Sequence, residues 1–429
     1  MNKNPAIALA AGVALVVIGV LIVLLWPDGS DVRIYSSLPE REQQQPSAAA
    51  SIGSDDRGVV TNERTADMEN AMRLALAQAG GRAGDLDVTY TPLDDSDVVG
   101  ESPAAVVQAN ARRAADDDST AVYIGDFTSD ATQESIPILS RARIAQISVS
   151  STRVGLTKQD LRGDVNEPGR YYPPQPGYAK GYRNFVRLIP DAAVHAEALL
   201  ALMAQTDTCA RVAMINDNSS YGEALANNIL AKNRHRMRFV FSQSVGPYGR
   251  YEHLVDRVRR ASSKPDCFVY SGIRNPNTVE IFEAFARALP TARLYGTNGV
   301  VAASFVDPEK GGLSQEVAGR VKVMVPPYDP EQAKAFFAAF KDAYRKDADP
   351  YAVYAYEAMQ LALDAIADST TGRREDISRA LFDTNDRQGS VLGSYSITAT
   401  GDTDVASYGV SRIEDGRLTP PEPAPRLRR

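Results

Sequence analysis

Histidine, cysteine and the compact motifs of familiar enzyme chemistries are scarce or missing in this chain. Its 429 residues include 3 His and 2 Cys. His195 sits in a helix pattern, His253 stands beside Glu252, and His235 is separate from both, so helix-face or surface roles fit them better than metal ligation. GxSxG, the P-loop, GxGxxG and HExxH are absent, which leaves nucleophile-elbow, phosphate-cradling, dinucleotide-binding and zinc-protease chemistry without sequence support. Positive charge is also short. The formal net charge is −7, no basic stripe is interleaved with aromatics, and the Arg-rich end at 426–429 is too brief to supply one. This argues against a nucleic-acid partner. No catalytic residue, cofactor or metal is expected. Asp94, Asp95 and Asp97 cluster between a strand and a helix start; a metal or acid–base role is open to them, but their spacing does not fit a calcium loop and a solvated turn is expected.

What is present begins with an uncharged run from Pro5 to Leu25, followed by Trp26, Pro27 and Asp28. A bilayer needs ~20 apolar residues, whereas signal-peptide cores run only ~7–15. No small-x-small cleavage site follows Trp26, so an uncleaved transmembrane helix is expected, with a cleaved signal as the alternative. Lys3 before the run and Asp28 and Asp31 after it place the N-terminus in the cytoplasm and the globular part outside. That compartment permits a disulfide. Cys209 and Cys267 each begin a strand signal, and in a sheet of order 2-1-3 those strands are parallel neighbours; a bridge is expected, a pair of small buried thiols being the alternative.

The length calls for two or three domains. After a short strand at 32–35, residues 40–62 read as a polar loop or partly disordered segment. Met68, Ala71, Met72, Ala75, Leu76 and Ala79 then mark one helix face ending at Gly80 and Gly81. Strand and helix signals alternate from there: strand 88–90, helix 103–115, strand 121–125, helix 131–143, strand 144–148. A Pro- and Tyr-rich stretch, 171–178, interrupts them. The alternation resumes from strand 184–188 through strand 320–325, two long helices follow at 331–345 and 350–367, and hairpin signals at 394–398 and 407–411 flank Gly401 and Asp402. The fold class is α/β, with two doubly wound parallel-sheet lobes.

Residues 121–157 carry the functional signal. Two buried-strand runs each end in a hydroxyl-rich turn, one leading into a helix and the other offering a second helical start after Thr152. Helix N-termini on neighbouring parallel strands gather free backbone N–H groups into a cup for a small anion such as a carboxylate. Ser and Thr as plain helix caps explain each turn singly; the pair favours a site. In the second half, Tyr221 opens a helix after a polar turn, as an aromatic wall or as simple packing, and Thr297 and Asn298 end a third strand at the same edge.

These pieces, in this order, resemble the extracytoplasmic solute-binding proteins of branched-chain amino-acid ABC transporters, the leucine/isoleucine/valine-binding type I periplasmic binding fold. The matching stretches are 68–81, 123–132, 147–157, 216–226, 295–300 and 350–359, and the likeness covers roughly 32–415. It implies lobes joined by a three-crossover hinge, lobe I at 31–188 plus 326–395 and lobe II at 189–325 plus 396–415, with 1–30 as the anchor or signal and 416–429 as a tail. It also implies a small-molecule ligand, an ABC permease as partner and a monomer outside the membrane. The ligand-binding set it implies is Ser129, Thr132, Ser150, Ser151, Thr152, Tyr221, Ile273 and Asn298, with Ser129, Ser150 and Thr152 on the ligand carboxylate. Asn298 stands where the family's amino-acid binders carry an acid for the ammonium, and Ile273 where an aromatic is common. Asn offers a dipole, not a charge, so an amino acid needs Asp126, Asp217 or Glu223 as partner; otherwise the ligand is an amide or a carboxylate without an amine. A membrane-anchored sensor or protein-interaction module on the same fold is the alternative function.

Overall fold

The computed structural model describes residues 31–42, 62–98, 100–234, 237–369 and 372–425. The expected span 5–25, most of the polar segment 40–62, His235 and the end 426–429 lie outside the described residues. Among those described, no helix is long and apolar enough to cross a membrane.

The apolar runs of the first half become β1 (Val32–Leu38), β2 (Arg82–Ala83), β3 (Leu86–Asp94), β4 (Thr120–Gly125), β5 (Ala145–Ser148) and β6 (Phe185–Arg187), in the order β2-β3-β1-β4-β5-β6. All pairings from β3 to β6 are parallel, and β4 is buried along its length, as a strand covered on both faces must be. Helices α1 (Glu63–Gln78), α2 (Ala104–Asp116) and α3 (Ser129–Ala142) connect them. On α1 the predicted stripe of Met68, Ala71, Met72 and Ala75 is buried, while Leu76 is half-buried and Ala79 exposed as the chain turns out at Gly80, φ 68°.

The second sheet repeats the pattern. Strands β7 (Arg211–Asn216), β8 (Arg238–Ser244), β9 (Cys267–Ser271), β10 (Arg293–Gly296) and β11 (Val321–Val325) are parallel, and β12 (Gly409–Glu414) closes the edge antiparallel to β11. The longer helices here are α4 (Ala192–Ala201), α5 (Ser220–Lys232), α6 (Glu252–Arg260) and α7 (Thr278–Ala288). After β11 the chain returns to the first lobe as α8 (Pro330–Tyr344), α9 (Pro350–Asp368) and α10 (Arg374–Phe382), with α9 packed on α1. It then crosses back to β12, so the chain passes between the lobes three times, after β6, after β11 and before β12.

Four expectations need correction or completion. No helix starts after Thr152; Val154–Leu156 is a single 3-10 turn, because Arg187 draws the Ser151 and Arg153 carbonyls to its guanidinium (3.2 and 2.7 Å). Segments 394–398 and 407–411 do not pair as a hairpin. Ile397 bridges Thr403, the Gly401 carbonyl accepts from the Arg187 N–H, and the second segment enters β12. The residues from 416, expected as a tail, supply Arg417–Leu418 (β13) and Glu422–Pro423 (β14), both paired with β12. Helix α10 left no periodic signal because only Ile377, Ser378 and Leu381 are buried along it.

Cys209 and Cys267 form a disulfide, Cα–Cα 5.9 Å, at the starts of adjacent parallel strands. The Pro- and Tyr-rich segment is anchored by its tyrosines while Pro174, Pro176 and Gly177 are exposed. Tyr171, Tyr172 and Tyr182 are buried, and the Tyr172 hydroxyl donates to the Leu156 carbonyl at 2.9 Å.

Candidate functional site

The C-terminal tips of both sheets face one another, and the turns that leave them touch. The Asp130 carboxylate accepts the Ser220 N–H at 3.1 Å, the Asn298 amide donates to the Tyr351 hydroxyl at 2.6 Å, and Asn228 donates to Asp160 at 3.2 Å. At the rim Lys310 pairs with Glu63 at 2.7 Å.

In the first lobe, β4 runs into α3, whose N-cap Thr128 accepts from the Ala131 N–H at 3.1 Å. Ser129 Oγ accepts the Arg153 N–H at 3.3 Å and so ties the two hydroxyl turns together. Ser150 Oγ donates to the Phe127 carbonyl at 2.6 Å. Thr132 and Ser151 bond to each other at 2.6 Å and to local carbonyls, so both hydroxyls are used inside the lobe. Thr152 is different. It is 0% exposed and its Oγ1 has no hydrogen-bond partner. An unpaired buried hydroxyl is costly and calls for an explanation.

In the second lobe Asp217 organises the turn. Its carboxylate accepts from the Ser219 N–H at 3.1 Å and the Ile273 N–H at 2.7 Å, and burial pushes it up to about 6 against these hydrogen bonds. Gly222 and Gly272 admit this close approach, since a Cβ on either would lie within 2.0 or 2.5 Å of the carboxyl group. Ile273 is therefore placed by its backbone, with its side chain half-buried against the lobe core. The Tyr221 hydroxyl donates to the Asn298 carbonyl oxygen of the side chain at 2.6 Å. Ser220 Oγ is buried without a partner.

Of the three carboxylates named for an ammonium, Asp126 and Asp217 are committed to their own turns and Glu223 stands exposed. Asp126 is fully buried, bonded to Tyr123 (2.8 Å) and Ser135, and burial pushes it up to about 6 against those hydrogen bonds. The acidic cluster at 94–97 builds a lip, but Asp95 is fully buried rather than solvated: Ser102 donates to it at 2.7 Å, and burial, then the nearby Asp126 charge, push it up to about 8. Among the described residues no group of three or more His, Cys, Asp or Glu is arranged to hold a metal ion.

Sequence reasoning missed four groups at this interface: Arg64, Phe127, Arg274 and Tyr351. The Arg64 guanidinium lies 5.4 Å from both the Phe127 and Tyr351 ring centroids, and those rings meet edge-on at 5.9 Å. Tyr351 sits within the stretch 350–359 that carried the family likeness, which is the only signal that could have found it. Surface recesses of about 280 and 770 Å³ lie elsewhere, at the N-terminal edge of the first lobe's strands, and include none of the strand-tip residues.

Behind Asn298, His195 is fully buried and stacked on Tyr408 (4.2 Å), with both ring nitrogens unpaired. Burial pushes it down to about 3, the nearby Asn298 amide opposing. The unfolded chain therefore binds the proton more readily. Its effect on stability is nil above the unfolded value near 6.5 and becomes a loss as pH falls through the window from 6.5 towards 3. His195→Phe keeps the stack and should remove this term. The difference between variant and parent unfolding free energies, from denaturant titrations between pH 6 and pH 4.5, should change by about 1.4 kcal/mol per pH unit. Parallel pH curves for the two proteins would contradict it.

Two parallel-sheet lobes, three crossovers and strand tips that meet face to face define a two-lobed binding fold. The chain belongs to the periplasmic binding protein family, whose sequence model matches residues 54–417, and this places the globular part outside the cytoplasm. No curated protein matches the sequence. Solved structures share the fold. The branched-chain amino-acid transporter substrate-binding protein LivJ from Streptococcus pneumoniae, in complex with isoleucine, is 16% identical, with TM-score 0.70 over 92% of this chain and 99% of its own. The leucine-binding protein LivK from Thermotoga maritima is 17% identical, with TM-score 0.68 over 91% and 97%. A solute-binding protein of an ABC transporter from R. palustris, in complex with benzoate, is 14% identical, with TM-score 0.70 over 92% and 97%.

Proposed function

We propose that this chain is an extracytoplasmic solute-binding protein of an ABC transporter. It captures a small amino-acid-like, carboxylate or amide ligand between lobe I (31–188 plus 326–395) and lobe II (189–325 plus 396–415), and hands it to a permease. No bond is made or broken. The run Pro5–Leu25 anchors it as a single uncleaved span with the N-terminus in the cytoplasm, and the part outside the membrane is a monomer. The ligand meets Ser129, Ser150, Thr152, Tyr221, Ile273 and Asn298, with Thr132 and Ser151 supporting the turns.

The carrying observation is a pair of buried, unpaired hydroxyls in opposite lobes, Thr152 in the second hydroxyl turn and Ser220 at the start of α5, whose N–H donates to Asp130 across the interface. A guest supplies what these groups lack. With Asp126 and Asp217 committed to their own turns, an acid without an amine is better supported than an α-amino acid. The benzoate-bound relative fits that preference. The sensor or interaction-module alternative keeps the exposed tip of the 171–182 segment, Pro174, Pro176, Gly177, Ala179 and Lys180, as its candidate contact, while Tyr171, Tyr172 and Tyr182 are buried in the first lobe.

A melting screen of the full chain in detergent, across carboxylates, amides and amino acids, should find stabilising ligands. For the best of them, Ser129→Ala with Thr152→Ala should weaken calorimetric affinity at least tenfold, about 1.4 kcal/mol. Unchanged affinity in the double variant would reject this placement of the site.

A further inference from the structure

Each lobe contributes one guanidinium with buried, unpaired nitrogen, Arg64 from the first and Arg274 from the second. Arg64 leaves the first turn of α1 in the first lobe, is only 8% exposed, and has no hydrogen-bond partner on Nε or Nη2. Among the described residues the carboxylate paired with it is Asp349, 3.9 Å from Nε and beyond hydrogen-bonding distance. Asp349 is also engaged elsewhere, as its other oxygen caps α9 through the Tyr351 N–H at 2.8 Å. Burial pushes this carboxyl up to about 6, Arg64 opposing.

Arg274 comes from the second lobe, in the turn after β9. Its Nε is likewise buried and unpaired, 3.8 Å from Glu42. Glu42 is shared with the Ser304 hydroxyl. Burial lowers the Arg274 pKa from its ordinary value, Glu42 opposing and the Arg64 cation adding to it. Arg274 Nη1 donates to the Asn275 carbonyl at 3.0 Å; Nε of both cations and Nη2 of Arg64 are without an acceptor, and a desolvated guanidinium in that state favours an anion. Phe127 connects Arg64 to the hydroxyl turns: its carbonyl accepts from Ser150 and its ring carries Arg64.

We infer that Arg64 and Arg274 form a second acid-binding subsite, so that the captured solute carries a carboxylate at each end, one in the hydroxyl cup and one between the two guanidiniums. The inference rests on the solute-binding reading and narrows it to short diacids. Arg64 reads the second carboxylate from the first lobe, and Arg274 reaches it only when the lobes meet. Charge on the ligand then rewards closure directly.

Three matched pairs of probes test this on the full chain in detergent: glutarate against pentanoate, L-glutamate against L-glutamine, and terephthalate against benzoate. Calorimetry should show at least one diacid binding about tenfold or more tighter than its mate. Arg64→Gln should abolish that preference, costing the diacid about tenfold more affinity than its mate, and Arg64→Lys should retain part of it. Arg274→Gln, on the other lobe, should do the same and serves if Arg64→Gln fails to fold. Equal affinity within every pair, or a preference that survives both Gln variants, overturns the inference while the solute-binding reading stands. Failure of all six probes to bind overturns it and removes support from that reading as well.

Discussion

Arg187→Met is expected to destabilise the protein by about 3–5 kcal/mol and to weaken ligand binding in whatever remains folded. Arg187 is 0% exposed at the end of β6. Its guanidinium donates to Asp402 at 2.7 Å, to Thr157 Oγ1 at 2.6 Å, and to the Ser151 and Arg153 carbonyls. Asp402 belongs to the third crossover, so one side chain holds β6, the loop bearing Thr152 and the returning strand together. Removing it leaves a buried carboxylate with only Lys158, at 3.0 Å, as counter-charge. Despite burial, the Arg187 and Lys158 cations hold Asp402 well below the usual carboxylate range. That stabilisation is present above the unfolded value near 4 and is lost as pH falls below it. The variant should therefore lose stability at neutral pH and show a shallower further loss in acid. Arg187→Met combined with Asp402→Asn should recover part of the deficit, because it removes the stranded charge. Urea titration would decide the matter: a loss under about 1 kcal/mol, or a double variant no better than the single, would show that the network carries little of the fold.

The second large effect concerns the disulfide. Cys209 and Cys267 are separated by 58 residues, a loop that contains α5, β8 and α6. Closing a loop of that length in the unfolded chain is worth about 4 kcal/mol on the chain-entropy account. The benefit belongs to the second lobe alone, since both cysteines lie at the base of its sheet, away from the strand tips. Cys209→Ala with Cys267→Ala, or reduction of the parent, should lower the second lobe's denaturation midpoint while the first lobe's transition stays in place. Tyr295 and Tyr35, buried in the second and first lobes, are natural places for probes that report each lobe separately. Affinity for ligand at low temperature should be nearly unchanged. Coincident shifts of both lobes, or no shift at all, would contradict this assignment.

The architecture was legible because parallel strands buried on both faces read as unbroken apolar runs. Ala121–Gly125 and Cys267–Ser271 are fully buried, and each was marked by composition alone. Pairing of the cysteines followed from topology, which brings the starts of β7 and β9 together. The site was legible only where local sequence controls it. Ser129, Thr152 and Tyr221 stand at helix or turn starts whose chemistry is visible in a few residues. Arg64 was invisible because a charged residue in the first turn of a helix normally points to water. Its burial is decided by Phe127 and Tyr351, which come from distant parts of the chain. The missing helix after Thr152 failed for the same reason, since Arg187 takes the carbonyls that a helix would need.

The chain enters the first lobe directly as β1, and Val32 begins that strand close behind Trp26. On the proposed anchor, the five residues 27–31 reach at most about 18 Å even when fully stretched. With that anchor, the half of the molecule built on β1 would be moored tightly against the lipid surface and the other half would do the travelling. Capture would then be the swing of an untethered jaw over a fixed one.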